Sequence, residues 1–143
     1  MNVRRIIDVA WIGSAFAAVV CLAIGWGQSG DPDSNRLAFQ SEHDLGLLAP
    51  MRETYLTVPV TNPSRGPVTI LGAEGHCSAG LCVGIADAPV EIPARGKANV
   101  RVHLGTGSMP GTYTETLKIY SSAPGQLELV LHFTGRIPEP TPT

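Results

Sequence analysis

Charge is scarce in this sequence. Charged residues make up 15% of its 143 residues, with 10 Lys+Arg against 12 Asp+Glu and a formal net charge of −2. A typical soluble domain carries roughly 25% charged residues. A balance this close to neutral argues against a nucleic-acid surface, which needs a basic patch to displace phosphate counterions. The shortage of charge also excludes a coiled coil and a highly charged disordered chain. Common catalytic signatures are missing as well: there is no G-x-S-x-G elbow, no H-E-x-x-H and no glycine-rich phosphate loop ahead of a helix. The chain is therefore not expected to be an enzyme. Cysteine is scarce, with 3 in all. What is present is apolar and turn-rich: 43% hydrophobic residues, 16 glycines and 12 prolines. That composition fits short strands joined by many turns.

The apolar residues are unevenly placed. No charged residue occurs from Val9 to Gly30, and the run from Val9 to Trp26 is almost wholly apolar. A helix needs about 20 such residues to cross the hydrocarbon of a bilayer. Val9, Trp11, Phe16, Val20, Leu22 and Trp26 mark the expected transmembrane helix, with the two tryptophans near its ends where amphipathic rings favour the interface. Arg4 and Arg5 precede it, so the N-terminus is expected to stay cytoplasmic and residues 31 onward to be exported. A cleaved signal peptide is the rival reading, with Ala23-Ile24-Gly25 as a passable cleavage site. A lipoprotein signal on Cys21 is disfavoured by the bulky Val20 before it. The expected organisation is a cytoplasmic stub and signal-anchor over 1–27, a flexible linker over 28–36, one domain over 37–137 and a Pro/Thr tail over 138–143.

Within the domain, apolar and polar residues alternate with period two. Leu56, Val58 and Val60 alternate with Thr57, Pro59 and Thr61; Val100, Val102 and Leu104 with Asn99, Arg101 and His103. Val68 and Ile70 mark a short strand, Leu117 and Ile119 alternate with Thr116, Lys118 and Tyr120, and Leu127, Leu129, Leu131 and Phe133 alternate with Glu128, Val130, His132 and Thr134. Alternation of this kind means sheets with one buried face and one wet face. Turn signals separate the runs at 62–67, 93–96, 109–111 and 123–125, and the glycine-rich 105–111 is expected to be a hairpin connection. The fold class is all-β: an immunoglobulin-like β-sandwich of about seven strands behind one N-terminal transmembrane helix. Pro59 cannot donate to a ladder, so its strand is expected at an edge or bulged.

A set of motifs in fixed order carries a family resemblance. They are HDLG at 43–46, a strand ending at Asn62, PVTILGAEGHC at 67–77, IPARGKANVRVHL at 92–104, Gly-Thr-Tyr at 111–113 and LELVLHFTG at 127–135. The chain resembles a bacterial envelope family, a domain of unknown function with a Cys-Gly-Cys signature, which is similar to Hydin-type immunoglobulin-like domains and more distantly to PapD-like ones. The chain departs from that signature: Cys77 and Cys82 are separated by four residues. The resemblance implies the fold and an envelope location, and no reaction. Combined with the arginines, it implies a bacterial inner-membrane protein with a periplasmic or extracytoplasmic domain. It is expected to meet the membrane and an unidentified envelope protein.

Cys77 and Cys82 are the one chemical pair. Two nearby cysteines in an oxidising compartment most often form a disulfide. Gly75, Gly80 and Gly84 are expected to give the loop the freedom to close it. The alternative is a zinc or copper site using His76, Cys77 and Cys82, with His103 as a candidate fourth ligand. No cofactor is expected otherwise. His103 and His132 fall at outward positions, and Asp44 is expected to bond nearby backbone amides in a turn.

Overall fold

The computed structural model describes residues 35–140. The expected transmembrane helix, with Val9, Trp11, Phe16, Val20, Leu22 and Trp26, lies outside the described residues, as do most of the linker and the last three residues of the tail.

Among the described residues nine strands follow one another: β1 (Glu42–Leu47), β2 (Glu53–Thr61), β3 (Val68–Glu74), β4 (His76–Cys77), β5 (Leu81–Ile85), β6 (Val90–Ile92), β7 (Lys97–Thr106), β8 (Gly111–Ser121) and β9 (Glu128–Ile137). They form a five-stranded sheet in the order β1-β9-β8-β3-β6 and a four-stranded sheet in the order β2-β7-β5-β4. All pairings are antiparallel except β1 on β9. The period-two residues face inward as the sequence expects. Val58, Val60, Val100, Val102 and Leu104 from one sheet meet Val68, Ile70, Leu117, Ile119, Leu129, Leu131 and Phe133 from the other, all buried.

Three local features depart from the sequence reading. Leu127 precedes β9 and is exposed, because the hairpin turn at Ala123–Gln126 ends only there. The short strands β4 and β5 replace what looked like a loop. The segment Gly105–Gly111 is no hairpin connection: β7 lies in one sheet and β8 in the other, so it arches across the sandwich.

Two positions explain how the chain turns such corners. Asn62 is buried at the exit of β2. Its amide donates to the carbonyls of Gly66, Ile92 and Pro93 at 2.8, 3.2 and 3.2 Å, and its Oδ1 accepts from the Ser64 N–H and hydroxyl at 3.0 and 2.7 Å. One side chain thereby satisfies the arch from β2 to β3 and the end of β6. At β1, the HDLG motif is a bulge. Register shifts between Asp44 and Gly46, Gly46 takes φ +64°, and its N–H donates to Asp44 Oδ1 at 2.9 Å. That is the Asx-type bond expected of Asp44. His43 stacks on the core Phe133 with ring centroids 5.1 Å apart.

Before β1, Leu37 is buried and Ala38 exchanges two backbone bonds of 2.9 Å with Thr61 on β2. The chain then leaves β2 and joins the other sheet as β1. Among the described residues β2 is accordingly an edge strand, paired by β7 over nine residues without a register shift and touched on its other side only by Ala38.

Candidate interaction surface and the cysteine hairpin

Cys77 and Cys82 are joined by a disulfide across the β4–β5 hairpin. The Ser78 N–H donates to the Leu81 carbonyl at 2.9 Å, which leaves Ala79-Gly80 as the turn. The cysteines are thus the next pair along, without ladder bonds between them. Such pairs bring Cα atoms closest, and here they are 4.0 Å apart. A ring this small contributes about 2 kcal/mol in the chain-entropy account.

The neighbouring glycines answer a need for space rather than for freedom. None of Gly75, Gly80 and Gly84 has a positive φ. A Cβ on Gly75 would stand 2.2 Å from the Val83 carbonyl oxygen, where the chain crosses from β3 to β4. A Cβ on Gly80 would fall 2.0 Å from the Tyr113 ring. The Tyr113 hydroxyl in turn donates to the Met109 carbonyl at 2.9 Å. The hairpin tip therefore rests on an anchored ring, and the Gly80 carbonyl accepts from the Gly107 N–H at 2.9 Å.

The proposed metal triad is not brought together. His76 pairs with Val83 and Cys77 with Cys82, so the histidine and the cysteines point to opposite faces of the strand. The His76 Nδ1 meets Glu115 Oε2 at 2.7 Å, and the two cysteine sulfurs are bonded to each other. Glu115, midway along β8, has its side chain only 5% exposed, and its partner His76 is 72% exposed. His103 does lie on the Cys82 face: the two flank Gly105, 3.8 and 3.7 Å from where its Cβ would be. Among the described residues no cluster of three His, Cys, Asp or Glu side chains could hold a metal ion.

That outer face of the four-stranded sheet carries a cluster the sequence reading did not single out. Tyr55 on β2 lies opposite His103 on β7, with ring centroids 5.4 Å apart. The Arg101 guanidinium sits 4.7 Å from the centre of the Tyr55 ring and 3.3 Å from Asp87. His103 Nε2 is 3.7 Å from Glu53. A shallow cavity of about 410 Å³ adjoins the cluster, bounded by Met51, Glu53, Ser78, Cys82, His103 and Gly105. Parity could have found this face. Tyr55 continues the outward series of Thr57 and Pro59, one residue before the alternation becomes conspicuous at Leu56.

On the opposite sheet, the Tyr120 hydroxyl donates to Glu74 at 2.9 Å. That bond holds the phenol pKa above its usual value of 10.0, with desolvation and the charges of Glu74 and Glu128 adding to it.

No protein-family model matches the chain, and no curated protein matches its sequence. Solved structures do match. The secreted serine protease VesC from Vibrio cholerae superposes with a TM-score of 0.59 at 14% identity, over 78% of this chain and 25% of that one. A PapD-like domain of human CEP192 gives 0.58 at 10% identity, over 80% and 93% of the two chains. A putative carbohydrate binding protein from Bacteroides ovatus gives 0.54 at 14% identity, over 72% and 37%. The chain thus spans about a quarter of the VesC protease. At such identities the likeness is one of fold, and the described domain is an immunoglobulin-like β-sandwich with a fold similar to that of the PapD-like domain of CEP192.

Proposed function

We propose that this chain is a membrane-anchored, extracytoplasmic interaction module of the bacterial envelope, with no catalysis of its own. It would belong to the envelope family that its motif order resembles. The observation that carries the reading is the side of the molecule built by β2. There, among the described residues, a nine-residue strand lies at a sheet edge and is covered only at Thr61, by Ala38. Beside it lies an outer face bearing an aromatic ring, a guanidinium and an imidazole. Open edges offer backbone groups to a partner, and aromatic and arginine side chains are the residues that most often anchor protein contacts. The N-terminal apolar run behind two arginines supports the anchoring and the export.

The test is site-specific photocrosslinking of the full chain in cells. A photoreactive residue at Tyr55 is expected to give discrete adducts, whereas one at Lys118, on the outer face of the other sheet, is expected to give none. Absence of adducts at both positions would overturn the reading. The mass of the Tyr55 adduct reports the partner.

A further inference from the structure

The sandwich has four sheet edges, and they differ. The edge at β1 is broken by the bulge between Asp44 and Gly46. The edges at β4 and β6 are strands of two and three residues. β2 alone is long, with nine residues in unbroken register. Natural sheets blunt such edges with charges, prolines, bulges or a covering segment. On β2 the proline and the covering segment sit at one end, and the strand's one charged residue, Glu53, sits at the other. Ala38 covers Thr61. Pro59 lacks an N–H.

The direction of the free backbone groups follows from the bonds at the two ends of β2. Thr61 sends both its N–H and its carbonyl to Ala38, away from β7, while the Arg52 carbonyl accepts from the Thr106 N–H on the β7 side. Antiparallel ladders alternate. Glu53, Tyr55, Thr57 and Pro59 therefore direct their backbone groups outward like Thr61. Pro59 stands where its missing N–H breaks no bond to β7. Among the described residues no strand flanks Glu53 to Thr57 on that side.

We propose that a second copy of this chain fills the edge, with the two β2 strands antiparallel about a two-fold axis at Tyr55. This rests on the reading of the domain as an interaction module and names its partner. In that register Tyr55 faces Tyr55 of the second copy, and Glu53 faces Thr57 in both directions. Three pairs then exchange both backbone bonds, and neither proline is asked to donate. Moving the axis towards Thr57 sets Glu53 opposite Pro59, next to the segment at Ala38. Moving it towards Glu53 loses a pair. The side chains agree with the central register. The outer face brings two tyrosine rings together, each with an arginine alongside, and sets no charge against a like charge. On the inner face Thr54 meets the half-buried Leu56. The two four-stranded sheets would become one of eight strands.

The register makes a sharp test by disulfide trapping. It uses the full chain with Cys21→Ser, so that the only free thiol is the one introduced, and a mild oxidant. Tyr55→Cys is expected to cross-link into a covalent dimer. Thr57→Cys is expected not to, because in this register the two Thr57 positions are about 13 Å apart along the strands. The double variant Glu53→Cys with Thr57→Cys is expected to restore the dimer. Thr57→Pro, which removes an outward N–H and no bond to β7, is expected to cut the Tyr55→Cys cross-link at least tenfold. Equal trapping at Tyr55→Cys and Thr57→Cys would overturn the register, and no trapping at any of them would overturn the dimer. In that last case an adduct of different mass at Tyr55 in the photocrosslinking experiment would leave the module reading standing.

Discussion

At the scale of single residues, Asn62 shows how much one polar side chain can organise. It is fully buried and bonds five groups belonging to Ser64, Gly66, Ile92 and Pro93. Replacing it with alanine leaves several backbone groups without partners inside the protein, and each such group costs about 1–3 kcal/mol. Some of these groups lie where water reaches, which brings the total below the simple sum. Asn62→Ala is expected to lower stability by about 2–4 kcal/mol, read from the midpoint of denaturant unfolding. Asn62→Asp should be no better, because a carboxylate cannot donate to three carbonyls. A midpoint unchanged in both variants would show that the arch does not depend on this side chain. Motif order in the sequence placed Asn62 at a strand end; its bonds across to β6 were not legible, because Ile92 and Pro93 are some thirty residues away.

At the scale of elements, strands with an alternating apolar series were readable, down to Val68 and Ile70 in β3, and those without one were not. β2, β7 and β9 each carry three or more inward apolar residues in series, a period-two pattern that suits neither a helix nor a loop, whereas in β8 Glu115 and Ser121 limit the inward apolar series to Leu117 and Ile119. β4 has two residues and β5 carries Gly84, so neither displays a series. Glycine misled for a physical reason. At Gly75 and Gly80 it serves close approach, which depends on what packs there in the fold rather than on local sequence. Gly80→Ala tests the point. Its methyl would overlap the Tyr113 ring, and the hairpin tip must then move off it. The expected loss is about 1–3 kcal/mol. In a Tyr113→Ala background the ring is gone, and the same substitution should cost less than half as much. Such non-additivity is what two residues in contact produce. An equal cost in both backgrounds would mean that Gly80 is needed for the turn itself.

At the scale of the whole molecule, the connections decide how it holds together. Of eight links between consecutive strands, only β4–β5 and β8–β9 are hairpins within one sheet; the other six pass between sheets. No run of neighbouring strands owns a core of its own. Five of the seven strand pairings join strands that are not consecutive in the chain. The stretch before β1 shows the same economy. Leu37 is 4% exposed and its N–H donates to the Gln126 side chain, eighty-nine residues on, while Ala38 bonds Thr61 on the other sheet. A lesion at Leu37 should therefore not stay local. Leu37→Ala removes a buried side chain and is expected to cost about 2–4 kcal/mol. Native-state hydrogen exchange measures where that loss falls. If the sandwich opens as one unit, the slowest amides of β7 and of β8 lose protection by the same amount, although they belong to different sheets. If only amides near Thr61 and Gln126 lose protection, the entry segment is a separable flap, and the cooperativity that the crossing connections imply is refuted.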